Sequence, residues 1–421
     1  MKYQNLLNIA VTLAICGCTI AAHAGPPQAK GKKPAAPPAK TAVKKATAPP
    51  APKVLKPGPM WSVAYSPDGT TLVVGGYRKV FLFDAANGTK KAEYPVSSDA
   101  IRSLAFSRDG KLLAAATGVP GQSGSVIVLD AASGNQVRLI KGHNDTVEAV
   151  AFAGDMLLAA ADDEKVSVTG VGDGKAVGSL AEHIGRCLAV AVPKDTNDAD
   201  GGDIWATGGA DSAVKIWDAK ARRVVVNFDQ CQGGVWCLSA GARPGMFFAG
   251  SGDGKIRMLR VRADGKANPA EPGAPSPRTG YLGRTYEGGH EGAVYAVATS
   301  VDGKRMVSGG ADRLVNVWNV DGGRLKQFTE AGSDIWGVAI SPDSKSVAAA
   351  SLDGKTRVYD IEKGTLLFTV NEKGTAAPPA VAPTAPGTPT PAPGTPVKTP
   401  NPKKGMAAAA PLNSTPLTPI K

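Results

Sequence analysis

Residues 289–330 read GHEGAVYAVATSVDGKRMVSGGADRLVNVWNVDGGRLKQFTE. Three short apolar-rich runs, VYAVATS, RMVSGG and LVNVW, are separated by VDGK and by an Asp-containing turn. A fourth run, RLKQFTE, follows Asp321-Gly322-Gly323. Short alternating runs bounded by Asp-Gly and Gly-Gly pairs predict four antiparallel strands joined by tight turns. Working outward, the pattern recurs along the chain. The apolar motif that opens it begins at Met60, Ile101, Val147, Cys187, Val235, Val294 and Ile335, at spacings of 41, 46, 40, 48, 59 and 41 residues.

One four-stranded sheet cannot bury both of its faces. Seven in a ring bury each sheet between two neighbours and leave only short edges, which is the logic of a propeller. The expected fold is therefore all-β: a seven-bladed β-propeller of four-stranded blades over residues 59–372, one domain rather than seven. Two segments compete for the outer strand that closes the ring, TLLFTV at 365–370 and KVLK at 53–56. The first alternates more strongly and is preferred.

The repeat resembles the WD-repeat family, and specific residues carry the likeness. Blade four reads EHIGRCLAV…IWATGGADSAVKIWDAK and blade six GHEGAVYAV…MVSGGADRLVNVWNV. In that family a His, a Ser or Thr, an Asp and a Trp form a buried hydrogen-bonded chain within a blade. The resemblance assigns His183, Thr207, Asp211 and Trp217 to this role in blade four, and His290, Ser308, Asp312 and Trp318 in blade six. Elsewhere only fragments stand: Gly142-His143 with Asp163, Asp253, Asp353 with Tyr359-Asp360, Phe83-Asp84 and Leu129-Asp130. Blades one, two, three and five lack the Trp.

Charge separates the chain into parts. Lys and Arg number 48 and Asp and Glu 36, yet residues 1–58 hold nine Lys and residues 373–421 five, with no Arg, Asp or Glu in either. The middle carries 34 basic and 36 acidic residues, net −2, which disfavours a groove-reading nucleic-acid domain. Residues 25–58 and 373–421 are Pro-, Ala-, Thr- and Lys-rich tethers by composition, unable to bury enough apolar surface to fold. Lys2, the uncharged run Leu6–Ala22 and Ala22-His23-Ala24 read as an export signal over residues 1–24, with Gly25 beginning a periplasmic or extracellular chain. Ile15-Cys16-Gly17-Cys18 offers a rival, lipid attachment at Cys18, the one route by which a membrane would become a partner.

Catalytic chemistry is sparsely provided. There are four His, and His143, His183 and His290 all fall at the repeat's own His position. No P-loop, GxSxG, GxGxxG or HExxH is present, and no cofactor or metal is expected. The acidic insert KDTNDADGGD (194–203) fails the EF-hand frame, because Thr196 and Thr207 stand where Asp and Glu are required. The insert Arg262–Gly280 reads as a loop excursion. Beyond the signal lie Cys187, Cys231 and Cys237, for which a Cys231–Cys187 disulfide and three buried thiols are both open.

One position repays reading around the ring. The residue after the first apolar position of each innermost strand is, in order, Trp61, Arg102, Glu148, Leu188, Trp236, Tyr295 and Trp336. The aromatics belong to blades five, six, seven and one, adjacent once the ring closes, and would form a crescent flanked by one cation and one anion. Inter-blade packing is the competing reading, since a one-residue register error flips the facing. The function expected is a non-enzymatic platform binding a protein or peptide partner on the ring face, with the basic tails able to contact an anionic envelope polymer. The alternatives are a glycan- or envelope-polymer-binding module and an enzyme with a channel active site.

Overall fold

The computed structural model describes residues 58–193, 204–263 and 278–376. The export signal, KVLK at 53–56, the acidic insert, most of the blade-five insert and nearly all of both Pro-rich stretches lie outside them. The described residues contain 28 β-strands and no helix. Within each sheet the pairing is antiparallel, each strand against the next in sequence.

Strands group in fours. The innermost members of the seven sets are Ser62–Tyr65, the C-terminal part of Lys90–Phe106, Val147–Ala153, Cys187–Ala191, Val235–Ala240, Val294–Thr299 and Ile335–Ile340. Sets one and two merge into one seven-stranded sheet, because Lys90–Phe106 is a single 17-residue strand. Its first part pairs with Tyr77–Asp84 and its last part with Leu112–Val119. Other connections into an innermost strand contain Gly or open turns, whereas Pro95–Ala100 has none and stays extended. In set seven Thr365–Asn371 is the fourth strand, and Gly374–Ala376 adds a fifth outside it.

Burial follows this grouping. Leu72, Phe81 and Phe83 of set one pack with Ala348, Val358 and Phe368 of set seven. Val73, Leu82, Ile101 and Ile127 join sets one and two, and Val128, Ile140, Val147 and Leu157 join two and three. The same face-to-face packing continues through four, five and six to seven. The sets are thus stacked in chain order and the last rests on the first, where the Met60 N–H also reaches the Ser351 carbonyl at 3.1 Å. Buried runs such as LLAAAT and MLLAAA provide small side chains where neighbouring sheets approach closely.

The turn between second and third strands is the most regular local feature. Its left-handed residue is Arg78, Glu164, Ser212, Gly254, Arg313 or Gly354 in sets one, three, four, five, six and seven. Four of these are not glycine, and side chains in that region carry a strain of about 1 kcal/mol. The preceding Asp, present in sets three to seven, helps hold the loop: in sets four and six its carboxylate accepts the amide N–H two residues on.

Candidate ligand-binding centre

Six of the seven innermost strands carry a β-bulge at the same place. Ile101 pairs with Thr117 and Ser103 with Ala116, so Arg102 has no partner across the ladder. The same skip isolates Glu148, Leu188, Trp236, Tyr295 and Trp336. Trp61 immediately precedes its strand, with its N–H on the Gly75 carbonyl at 2.9 Å. A bulge bends the strand and re-aims the extra side chain. Here the seven side chains converge on one cavity of about 50 Å³.

The aromatic members touch one another. Tyr295 and Trp336 stack at 4.4 Å, 13° between planes. Trp336 meets Trp61 edge-on at 5.5 Å, and Trp236 meets Tyr295 edge-on at 5.4 Å. Such offset and edge geometries add about 0.5–1.5 kcal/mol per pair to their burial. All four rings remain half-buried. The Trp236 Nε1–H donates to the Gly233 carbonyl at 3.1 Å. The Nε1 atoms of Trp61 and Trp336 are buried without a hydrogen-bond partner among the described residues.

On the opposite arc the Arg102 guanidinium lies 4.3 Å from the Trp61 ring centroid and 3.9 Å from Glu148 Oε1. Arg186 bridges Glu148 at 3.8 Å and Asp162 at 2.8 Å. Burial pushes the Glu148 carboxyl above its ordinary range; Arg102 and Arg186 oppose this, and Asp162 and Asp145 add to it. Burial, reinforced by Asp334, raises the Tyr295 phenol. Among the described residues no cluster of three His, Cys, Asp or Glu could hold a metal.

The hydrogen-bonded sets lie away from this centre, inside the sheets. His183 Nδ1 stands 3.0 Å from Asp211 and its Nε2 2.8 Å from Thr207 Oγ1, which accepts the Trp217 Nε1–H at 2.8 Å. His290 repeats this with Asp312 at 2.9 Å, Ser308 at 2.7 Å and Trp318 at 2.9 Å. A carboxylate only accepts, so Nδ1 carries the proton and Nε2 accepts the hydroxyl. Burial lowers the His183 pKa against the pull of Asp211, keeping the ring neutral.

Sequence reading missed how the other sets are braced. In sets three, five and seven, and as an addition in set six, the residue four after the repeat Asp enters the network from the third strand. Set three has Ala159 in place of the hydroxyl residue, and Ser167 Oγ reaches His143 Nε2 at 2.8 Å instead. Set six adds Asn316, whose Nδ2 lies 3.2 Å from His290 Nε2. Sets five and seven use arginine: Arg257 pairs with Asp253, and Arg357 with Asp353, each at 2.6 Å. A position carrying Ser, Lys, Arg, Asn and Arg in sets three to seven offered no uniform residue type to notice. The Cys231–Cys187 bridge is not formed: Cys187, Cys231 and Cys237 are all free and buried, and burial raises Cys187 to about 12.

Antiparallel four-stranded sheets stacked in chain order, the last upon the first, with a shared inward-turned position and a recurring His–Asp network, define a propeller assembled from repeats. Comparison with known proteins agrees. The family model for the WD domain, G-beta repeat, matches residues 53–84, 88–130, 280–319 and 322–360. The WD repeat-containing protein SL1-17 of Schistosoma mansoni is 29% identical over 189 residues, 45% of this chain and 56% of that protein. The guanine nucleotide-binding protein subunit beta of Saccharomyces cerevisiae is 25% identical over 225 residues, 48% and 53% respectively. Autophagy-related protein 16 of Arabidopsis thaliana is 25% identical over 225 residues, 52% and 39%. The chain thus spans about half the length, or less, of these curated relatives. Over those four stretches the chain carries WD repeats, in keeping with its propeller fold.

Proposed function

We propose that the protein is a non-enzymatic, seven-bladed interaction platform that seats a protein or peptide partner over the aromatic centre. The observation that carries this is the convergence of Trp61, Trp236, Tyr295 and Trp336, from four different innermost strands, as half-buried rings around one point. Half-buried aromatic clusters offer large contact area at low entropic cost and dominate binding hot spots. Arg102 and Glu148 beside them supply polar selectivity. The relatives' names support an assembly role in kind, one of them being a subunit of a guanine nucleotide-binding protein.

The test is affinity capture with the full chain and with Trp236→Ala and Trp336→Ala, folding checked by circular dichroism. A defined protein held by the parent and lost by folded variants is the expected result. Equal capture by all three refutes the site. The proposal also places the platform outside the cytoplasm, supported by Lys2, the Leu6–Ala22 run and Ala22-His23-Ala24. N-terminal sequencing of the mature protein should begin at Gly25; an intact Met1 or an acylated Cys18 overturns that part.

A further inference from the structure

We propose a second site, away from the aromatic centre: the groove between sets five and six binds a phosphate group, held between Arg284 and Arg324. Its source is a soluble phosphate, esterified or free.

The groove has a volume of about 270 Å³ and two walls. One is the end of Arg278–Tyr286, the fourth strand of set five, with Glu287 and Gly288 after it. The other is Gly322 and Gly323, in the turn between Val315–Asn319 and Arg324–Phe328 of set six, with Arg324 itself. Tyr286 and Trp318 form the floor, two buried rings packed edge-on at 5.6 Å. The Tyr286 hydroxyl donates to the Val320 carbonyl and the Trp318 Nε1–H to Ser308, so recognition falls to the walls.

Two arginines cross this groove in opposite directions. Arg284 Nη1 donates to the Gly322 carbonyl at 3.2 Å, and Arg324 Nη1 to the Gly288 carbonyl at 3.4 Å. Each side chain leaves its own wall and is tied loosely to the other. These bonds lie at or beyond the long end of ordinary N–H···O contacts, whereas a guanidinium meets an anionic oxygen at about 2.7–2.9 Å and more strongly. An anion between the walls would exchange both neutral contacts for charge-assisted ones.

Charge in the groove is not balanced from within. Among the described residues neither Arg284 nor Arg324 forms an ion pair, and Arg260 adds a third guanidinium near the Tyr286 phenol. The neighbouring acids are already paired, Glu287 with Lys255 at 3.0 Å and Asp321 with Arg243 at 3.4 Å. Five cations therefore stand with two carboxylates. Like charges held in one groove repel, and a dianion set between them turns that repulsion into attraction.

Geometry selects phosphate among anions. A planar carboxylate offers one bidentate edge and fills one guanidinium fork, whereas a tetrahedral phosphate turns separate oxygens toward two forks from opposite sides. It also carries a charge of about −2 near neutral pH. A soluble source is favoured over a lipid surface by the acids at the rim. The side chains of Glu287 and Asp321 are 65% and 64% exposed, where they repel an anionic bilayer yet leave room for one small group.

Isothermal titration calorimetry of the full chain with phenyl phosphate tests the site, alongside Arg284→Gln, Arg324→Gln and Gly323→Leu. The first two each remove one fork from an exposed side chain. The third keeps both charges and fills the groove from a position where a Cβ meets nothing within 4 Å. Circular dichroism confirms folding. Phenyl phosphate should bind the parent in the millimolar range or tighter, and about tenfold more tightly than it binds any variant or than the parent binds benzoate. The lysines of residues 1–58 and 373–421 also attract anions, but equally in all four proteins. Equal binding by parent and folded variants assigns the anion to those lysines and overturns the inference. Equal affinity for benzoate overturns it too, as does a parent that binds phosphatidic acid vesicles and not phenyl phosphate. Inorganic phosphate separates the sources: bound more weakly than phenyl phosphate it marks an esterified ligand, and more tightly the free ion, either order upholding the site. Trp236 and Trp336 are intact in every variant, so the platform reading stands or falls by the capture experiment alone.

Discussion

The two complete His–Asp networks differ in one added contact, that of Asn316 with His290, and that difference predicts unequal sensitivity to the same substitution. Thr207→Ala removes the hydroxyl that donates to His183 Nε2 and accepts from Trp217 Nε1. Both are buried, and the residue at the Asn316 position is Lys215, whose amine lies 3.3 Å from Asn227 Oδ1. Two groups are orphaned, at about 1–3 kcal/mol each. Ser308→Ala removes the equivalent hydroxyl, but Asn316 Nδ2 still reaches His290 Nε2, so Trp318 Nε1 alone loses its partner. The expected losses are about 3–4 kcal/mol for Thr207→Ala and about 2 for Ser308→Ala. Thr207→Ser keeps the hydroxyl and should cost about 1 kcal/mol. Urea unfolding followed by circular dichroism gives the ranking from the midpoints at constant slope. Equal losses, or a larger one at Ser308, would show that Asn316 does not substitute and that the network has been misread.

Stability should fall on acidification in two stages. Burial depresses His183, so its contribution is complete at neutral pH and is lost as pH drops through the histidine range, where the unfolded chain takes up the proton first. Asp211 and Asp312 are depressed although burial opposes it, their loop amides and His partners prevailing. Their contribution is lost later, through the carboxylate range. His183→Asn should flatten the first stage in a pH series of melting temperatures; an unaltered slope would count against a neutral buried ring. Arg257→Met removes the ion-pair partner of the half-buried Asp253 carboxylate, which keeps its bonds from Ser251 and the Lys255 N–H, and should cost about 2 kcal/mol. Lys255→Ala, which removes an exposed ion pair with Glu287, should stay within about 0.5 kcal/mol in the same denaturation assay. Gly252→Ala would place a methyl group 2.2 Å from the Gly233 carbonyl oxygen, so thermal melting should fall well below that of the parent; a parental melting point would show that this loop yields.

Period and turn chemistry made the strands of sets four and six legible, because each run alternates and each turn holds Gly or Asp. The merged strand Lys90–Phe106 was not legible, since extended backbone across Pro95–Ala100 is a tertiary outcome that no local signal announces. The inward position was found by counting from the first apolar residue of each innermost strand. What counting could not supply was the bulge, which depends on the ladder partner and frees Arg102, Glu148 and their equivalents from the alternation of their neighbours. The arginine bracing of sets five and seven stayed hidden for a related reason. Nothing in the sequence marks Arg257 or Arg357, and only folding sets each beside an Asp four positions back.

The 17-residue strand that serves two sheets has a consequence for how the ring opens. Elsewhere adjoining sheets are linked by loops and side-chain packing, and one can loosen while its neighbour holds. Sets one and two share a backbone ladder, so unzipping the outer edge of the first strains the inner edge of the second. In native-state hydrogen exchange they should behave as one cooperative block. Breathing of the ring is then directed to the other seams, the one between sets seven and one among them, which Trp61 and Trp336 straddle.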